Sequence, residues 1–195
     1  MADQVKASQA DGVGALAERL AALRSSGDRR IVGLTGSVAV GKTTLARQLS
    51  KRLAPDLSVE TVSTDGFLFP NAVLEPQGLL MRKGFPETYD RDSFTNALVR
   101  VRKGQADFPA HSHETYDIDP ALTGFWHAAR TDPKSFYAQW LHMSEPELRA
   151  FAKTVWDGVN LANLRDHICP LKDHADMVVR KDRTHAVEII ADRIS

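Results

Sequence analysis

The chain has 195 residues, of which 43% are hydrophobic and 26% charged, and its 25 basic side chains balance 25 acidic ones. This length fits one domain, or one domain with a small appendage, and the composition excludes the disordered, fibrous and membrane classes of protein. The balanced charge argues against nucleic acid as the main partner, and the one cysteine, Cys169, excludes an intramolecular disulfide framework. With a polar N-terminus and no apolar run of ~18 residues, we expect no signal peptide and no membrane span, hence a cytoplasmic protein.

The first predicted element is an amphipathic helix that ends at the turn 25–28, because apolar residues recur there at helical spacing. These residues are Val13, Leu16, Ala17, Leu20 and Leu23. The short apolar run 31–35 is typical of a buried parallel strand. A helix is predicted from Lys42 to Leu53, and the β-branched segment 59–64 is predicted to be a second strand.

The middle of the chain is predicted to be irregular apart from one long and one short helix. Residues 67–88 are rich in proline and glycine, which favours a long functional loop. A helix with Asp90 or Asp92 as its N-cap follows. Its inner face consists of Phe94, Ala97, Leu98 and Val101. Residues 104–124 are predicted to be irregular, and Asp132-Pro133 predicts a short helix that runs to Trp140.

The clearest predicted helix begins at Ser144, which forms a capping box with Glu147. Its predicted buried stripe consists of Leu148, Phe151, Ala152, Val155, Trp156 and Val159. Residues 177–181 predict the last clear strand, and residues 185–194 fit either a helix or a strand.

A phosphate-binding loop is predicted at residues 36–43, which satisfy the pattern G-x-x-x-x-G-K-S/T between a predicted strand and a predicted helix. The glycines let successive backbone N–H groups turn toward phosphate oxygens at a helix N-terminus. Lys42 would supply a mobile charge to the outer phosphates, and the Thr43 hydroxyl would bind Mg²⁺. The predicted ATP-binding residues are Gly36, Ser37, Val38, Ala39, Val40, Gly41, Lys42, Thr43 and Thr44.

Asp65 is the candidate catalytic carboxylate. It lies at the carboxyl end of the second predicted strand, and ligands of open α/β sheets bind beyond such strand ends. A carboxylate there can accept a proton from an attacking hydroxyl or hold a metal-bound water. Taken alone, Asp65-Gly66 also fits an ordinary turn.

The wider sequence resembles the bacterial type I pantothenate kinases, which are P-loop kinases. The most specific part is the block Thr64-Asp65-Gly66-Phe67, Pro70-Asn71, Gly78-Leu79 and Arg82-Lys83-Gly84-Phe85-Pro86-Glu87-Thr88-Tyr89-Asp90. Ser112-His113, Tyr116-Asp117, Thr131-Asp132-Pro133, Trp156, Asn160, Asn163-Leu164 and His185-Ala186-Val187-Glu188 extend the similarity, which covers about residues 30–190. The resemblance implies an α/β fold with a P-loop NTPase-like parallel sheet and flanking helices. It also implies ATP-dependent phosphorylation of pantothenate, the first step of coenzyme A synthesis.

The resemblance also implies roles for individual residues. Lys42 and Thr43 would serve the triphosphate and magnesium, and Asp65 would be the base that faces the pantothenate hydroxyl. The pocket for pantothenate, or the overlapping site where coenzyme A inhibits, would use Arg47, His113, Tyr116, Phe125 and Asn160. From the residues alone, His113 also fits an ordinary loop histidine and Phe125 a packed core aromatic.

The sequence departs from the family between Tyr116 and Phe125, where eight residues replace several dozen. The missing segment holds the family's Walker B-like strand and an arginine that stabilises the transferring phosphoryl group, for which Arg130 is the nearby substitute. We therefore expect a sheet reduced in strand number, with an N-terminal helix and turn in residues 1–28 and the kinase domain in residues 29–195. An unpaired sheet edge also favours a homodimer.

Two other functions are considered. The departure favours a catalytically silent relative that binds a nucleotide or coenzyme A. The other is a small-molecule kinase of the uridine kinase or phosphoribulokinase kind, against which the block Phe85-Pro86-Glu87-Thr88-Tyr89-Asp90 argues. No nucleic acid or membrane partner is expected in either case.

Overall fold

The computed structural model describes residues 11–23, 29–104, 142–182 and 184–194. Its helices are α1 (Gly12–Ala22), α2 (Lys42–Leu53), α3 (Asn71–Leu74), α4 (Arg91–Arg102), α5 (Glu145–Val155) and α6 (Leu161–Asn163). Its strands are β1 (Met177–Lys181) and β2 (Val187–Asp192). The described part of the chain is therefore a mixture of helix and strand. None of the described helices is long and apolar enough to cross a membrane.

The three predicted helices in the first half of the chain are confirmed. Helix α2 has the predicted bounds, and Leu16 and Ala17 on the predicted apolar face of α1 are buried. Asp90 is the N-cap of α4, and its Oδ1 accepts a hydrogen bond of 3.0 Å from the Ser93 backbone N–H. These helices form where predicted because their spacing and caps are local properties of the sequence.

The predicted capping box at Ser144 is also confirmed. The Ser144 backbone N–H and hydroxyl donate to Glu147 Oε2 at 2.8 and 2.7 Å. After α5 the chain continues through π-helical turns at Trp156–Asn160 and Leu164–Ile168, with α6 between them, and this helical segment ends in a 3₁₀ turn at Cys169–Asp173. Leu148 of the predicted stripe is buried, and its other members are half-buried.

The described strands form one antiparallel hairpin. Strand β1 pairs with β2, so the predicted strand at 177–181 is confirmed and the segment 185–194 contains a strand rather than a helix. The register shifts between Val178 and Val179. An antiparallel pair follows from the short connection, because parallel strands need a crossover of a dozen or more residues.

The predicted strands at 31–35 and 59–64 are wrong. The backbone is irregular in both segments, and residue 64 begins a 3₁₀ turn. Their apolar side chains are largely exposed, with Val32 at 59% and Val62 at 48%. A strand is stable only when a neighbouring strand satisfies its backbone N–H and C=O groups, and the described residues supply neither segment with such a neighbour.

Two compact units make up the chain. The first combines the residues up to Leu34 with Val40–Val62 and the residues from Leu171 onward. In its core, α1 and α2 pack with the hairpin through the buried residues Leu16, Ala17, Leu45, Leu49 and Val187. An ion pair of 2.6 Å between Arg19 and Asp192 joins α1 to the end of β2.

The second unit combines Thr35–Ala39 with Ser63–Pro170. The described residues most deeply buried in it are Phe67, Leu74, Phe85, Thr88, Ala97 and Leu148. The predicted irregular segment beyond residue 104 and the predicted helix from Asp132 to Trp140 lie outside the described residues.

Candidate active site

The predicted phosphate loop, residues 36–43, has near its end a backbone conformation that favours glycine. Gly41 has φ of +89°, in the left-handed region, and serves as the N-cap of α2. Ala39 also lies in this region, at φ of +57°, which is uncommon for a residue with a Cβ. Such conformations cluster at functional loops, where the surrounding structure holds them in place.

The first turn of α2 provides backbone donors for an anion. The helix begins at Lys42, and the N–H groups of its first turn lack partners within the helix. No acidic residue stands in this turn, so the helix dipole there is not offset by a carboxylate. The arrangement is chemically suited to a phosphate group.

Side chains of this turn fit the requirements of a magnesium nucleotide. Lys42 is half-buried, Thr43 and Thr44 are exposed, and Arg47 is exposed one turn further along α2. Mg²⁺ keeps several waters and takes one or two protein ligands together with substrate phosphates, so the Thr43 hydroxyl fits as a single ligand. The described residues contain no group of three His, Cys, Asp or Glu side chains that could form an all-protein metal cage.

Asp65 lies in a 3₁₀ turn that is stabilised by hydrogen bonds of the Asp65 backbone N–H and C=O groups. The turn spans Thr64–Phe67, and the Asp65 N–H donates to Ser63 Oγ at 3.2 Å. The Leu68 N–H donates to the Asp65 carbonyl at 3.1 Å. These bonds fix the backbone of Asp65 and leave its half-buried carboxylate available for other partners.

Residues 67–69 run antiparallel to residues 88–90 and so bring Tyr89 beside Asp65. The Phe69 N–H donates to the Thr88 carbonyl at 2.9 Å, and the Asp90 N–H donates to the Phe67 carbonyl at 2.8 Å. Between these bonds Leu68 and Tyr89 form an isolated β-bridge. The Tyr89 hydroxyl donates a long hydrogen bond of 3.5 Å to Asp65 Oδ1.

The electrostatics of this pair keep the phenol protonated. Burial and the neighbouring Asp65 carboxylate raise the pKa of Tyr89 to about 12. Burial lowers the pKa of Lys83, and the Asp65 carboxylate partly opposes that change. Lys83 also donates a hydrogen bond of 2.8 Å to Asn71 Oδ1. Asp65 is thus surrounded by a neutral hydrogen-bond donor and a cation, both from residues 83–89.

Thr88 holds the segment 84–88 in place. Its hydroxyl accepts a hydrogen bond of 3.0 Å from the Gly84 N–H and donates one of 2.7 Å to the Phe85 carbonyl. The side chain has no exposed surface. The first bond satisfies the Gly84 N–H, and the second satisfies the buried hydroxyl itself, because the Phe85 carbonyl also accepts from the Thr88 backbone N–H at 2.9 Å.

Residues from the C-terminal helical segment contact the same stretch. The Asn163 side chain donates to the Gly84 carbonyl at 3.3 Å, and His167 meets the Phe85 ring edge-on at 5.6 Å. The Arg82 guanidinium lies 4.0 Å from the centre of the Phe85 ring and forms an ion pair of 2.7 Å with Glu87. These contacts give the segment a fixed frame.

The structure describes the predicted site residues 36–44, Arg47, Asp65 and Asn160, and it leaves the others outside its description. Asn160 is half-buried in the π-helical turn after α5. His113, Tyr116, Phe125 and Arg130 lie outside the described residues. No role was predicted for Tyr89, Lys83 or Asn71, because a single bridge between distant segments leaves no periodic signal. The signal that could have pointed to them is their place in the block that resembles the pantothenate kinases.

Comparisons with known proteins agree with that resemblance. No protein-family model matches the chain. The pantothenate kinases of Streptococcus pneumoniae strains P1031 and D39 are each 35% identical to it over 217 residues, and that of strain G54 is 34% identical. Each match covers 82% of this chain and 71% of the relative. The chain therefore belongs to the pantothenate kinase family.

The matched span also shows that the chain is shortened. It extends over 217 residues, more than the 195 of the whole chain, so the relatives carry residues within it that have no counterpart here.

Among solved structures, a protein assigned to the fructose transport system kinases, from Silicibacter sp. TM1040, is 36% identical with a TM-score of 0.44. That match covers 46% of this chain and 45% of the other.

Proposed function

We propose that this chain phosphorylates pantothenate with ATP, giving 4′-phosphopantothenate and ADP in the first step of coenzyme A synthesis. The observation that carries the proposal is the 35% identity to pantothenate kinases over most of both chains. The phosphate loop and the Asp65–Tyr89 pair support it independently, because they supply an anion site and a carboxylate for a hydroxyl substrate.

The reaction transfers one phosphoryl group between two oxygens. The pantothenate hydroxyl oxygen forms a bond to the γ-phosphorus as the bond from that phosphorus to the β-bridging oxygen breaks, and ADP leaves. The hydroxyl proton passes to the Asp65 carboxylate. Tyr89, which stays protonated, holds Asp65 by its hydrogen bond and leaves the second carboxylate oxygen for the substrate.

The nucleotide would bind through residues 36–44. Lys42 would neutralise charge on the outer phosphates, and Thr43 would hold Mg²⁺, which spreads the negative charge that develops on the phosphates. A P-loop kinase domain at residues 29–195 is part of the proposal, and family membership supports it. A parallel sheet in this domain would have to use strands other than the segments 31–35 and 59–64, which are irregular in the described structure.

His113, Tyr116, Phe125 and Asn160 would bind pantothenate or, at an overlapping site, coenzyme A, and Arg47 would contact the phosphates of coenzyme A. Coenzyme A would then act as an inhibitor by competing with pantothenate. A cytoplasmic location and a homodimer complete the proposal, and the exposed apolar segments at 31–34 support the dimer because exposed strand-forming residues are often covered by another chain.

A second function is favoured by one specific observation. The relatives carry residues within the matched span that this chain lacks. Losing an arginine that stabilises the transferring phosphoryl group costs ~10³–10⁵ in rate. A protein that binds ATP or coenzyme A without turnover is therefore the alternative.

Steady-state turnover of ATP and pantothenate separates the two functions. We expect ADP formation that depends on pantothenate, and Asp65→Asn should lower kcat by ~10²–10⁴-fold while the ATP dissociation constant stays unchanged. Asp56→Asn, which changes an exposed carboxylate beyond α2, is the matched control. ATP binding without any pantothenate-dependent ADP would establish the silent relative instead.

Nucleotide binding is tested separately by thermal unfolding. ATP with Mg²⁺ at about 100 times its dissociation constant should stabilise the protein by about 2.7 kcal/mol. Lys42→Ala should remove most of this gain, whereas Lys51→Ala, on an exposed position of the same helix, should keep it. An equal gain in wild type and Lys42→Ala would show that the loop does not hold the triphosphate.

A further inference from the structure

A second lysine lies against the phosphate loop. The Lys181 ammonium donates to the Val40 carbonyl at 3.4 Å, and a Cβ added to Gly41 would collide with the same ammonium. Lys181, Val40 and Gly41 all belong to the first compact unit. A cation from the end of β1 therefore lies directly before the first residue of α2.

The backbone of Lys181 is fixed by the core on which α2 packs. Lys181 is the last residue of β1 and is paired with Val187 of β2, which is buried in one cluster with Leu45 and Leu49 of α2. Strand β1, which ends at Lys181, and helix α2, which follows Val40 and Gly41, thus pack in one core. The position of the ammonium at the loop follows from that shared packing.

The carboxylate nearest to Lys181 in sequence is occupied by its own turn. Asp182 Oδ1 accepts hydrogen bonds from the Thr184 N–H at 2.8 Å, the Thr184 hydroxyl at 2.7 Å and the Ala186 N–H at 2.9 Å. Within the described residues, no carboxylate forms an ion pair with Lys181. Its charge is left to act on the loop.

We propose that Lys181 is a second phosphate-binding cation of the loop, an inference that rests on the proposed binding of ATP there. With Lys42 and the N-terminus of α2, it places three sources of positive potential around a short stretch of backbone, residues 40–42. Such a site favours a nucleoside polyphosphate, whose several charges can engage more than one cation. The Val40 carbonyl holds the ammonium at the loop, from which it can swing to a phosphate oxygen.

Isothermal titration with ATP, inorganic tripolyphosphate and adenosine tests this assignment on the full chain. Lys181→Met should weaken ATP and tripolyphosphate by about tenfold, the lower end of what a charge-assisted hydrogen bond contributes, and should leave adenosine unchanged. Lys181→Arg should restore most of the affinity. Lys51→Met, which removes an exposed lysine from α2, should bind all three ligands as the wild type does.

Salt dependence gives a second measurement. ATP affinity should fall less steeply with KCl in Lys181→Gln than in the wild type, because one charge fewer is screened. Wild-type affinity and salt dependence in both neutral variants would overturn the role of Lys181 while leaving the proposed function intact. An equal loss for adenosine and ATP would also overturn it, since the lysine would then support the fold only. Failure of the wild type to bind ATP at all would instead refute the proposed function.

Discussion

Asp65 and Tyr89 form a pair whose chemistry depends on the proton that the phenol keeps. In an unfolded chain a tyrosine loses this proton near pH 10, whereas burial and Asp65 raise the pKa of Tyr89 to about 12. A donor that persists through the physiological range can hold the carboxylate without adding charge beside it. A histidine or cysteine at this position would not keep its proton throughout that range, because their unperturbed pKa values lie near neutrality or a little above it.

The raised pKa of Tyr89 predicts a loss of stability in alkali. Between about pH 10 and pH 12 the unfolded chain has released the phenolic proton and the folded chain retains it, so the free energy of unfolding falls as the pH rises. The stabilising contribution is complete below pH 10. Tyr89→Phe lacks this contribution, and from pH 9 to pH 11 its free energy of unfolding should fall by about 1–2 kcal/mol less than that of the wild type.

Urea unfolding followed by tryptophan fluorescence at the two pH values measures this difference. Lysines titrate equally in both proteins, so only the difference between wild type and Tyr89→Phe is compared. Equal losses in the two proteins would show that Tyr89 titrates as an exposed tyrosine does.

Thr88 determines whether the segment beside Asp65 keeps its shape. Thr88→Val preserves the side-chain volume but leaves the half-buried Gly84 N–H without its acceptor, whereas the Phe85 carbonyl keeps its hydrogen bond of 2.9 Å from the backbone N–H of residue 88. We expect a loss of about 1–3 kcal/mol in the free energy of unfolding, measured by urea denaturation. Thr88→Ser keeps the hydroxyl and should lose about 1 kcal/mol or less, the value of one buried methyl group. A valine variant more stable than the serine variant would contradict this account.

Gly12 lies where helix α1 approaches strand β2 closely. A Cβ on this first residue of α1 would overlap the backbone carbonyl of Val187 in β2, and a backbone atom cannot move aside as a side-chain tip can. Gly12→Ala should therefore destabilise the protein by about 1–3 kcal/mol, although alanine favours helix more than glycine does.

Gly14→Ala is the control for the close approach. Its added Cβ would lie 3.1 Å from the Asp11 Oδ2 atom, which is the end of an adjustable side chain. We expect this variant to be as stable as the wild type or slightly more stable in thermal unfolding. Similar destabilisation by both substitutions would point to the helix start itself and not to the contact with β2.

The sequence predicted elements well where their determinants are local. The spacing of apolar residues, the Asp90 cap and the box formed by Ser144 and Glu147 lie within one or two turns of the helices that they start. The strands at 31–35 and 59–64 were predicted from composition, but a strand also needs a partner, and a partner is not a local property. The same reason explains why the motif and the resemblance indicated Asp65 and not its hydrogen bond with Tyr89, a residue 24 positions away.

At the scale of the whole molecule, the chain carries apolar segments that its described part does not cover. Ile31, Val32, Leu34 and Val62 are 38–59% exposed, and no backbone hydrogen bond ties residues 31–34 to another described segment. The relatives have additional residues within the matched span. The exposed residues 31–34 and 62 of this chain are apolar enough to be buried in a larger sheet that such residues complete. Exposed segments rich in β-branched apolar residues are prone to pair with another chain.

This exposure predicts self-association through residues 31–34. The purified protein should sediment as a dimer or form aggregates on mild heating. Val32→Lys should slow the aggregation severalfold in a light-scattering temperature ramp. The reason is that a charge on an exposed strand-forming segment opposes pairing between chains. Val99→Lys is the control: Val99 is 49% exposed, yet it lies in α4, where helical hydrogen bonds occupy the backbone. Equal protection by both substitutions would mean that net charge, and not the segment, controls association. A heat-resistant wild-type monomer at micromolar concentration would show that residues 31–34 are covered within a single chain.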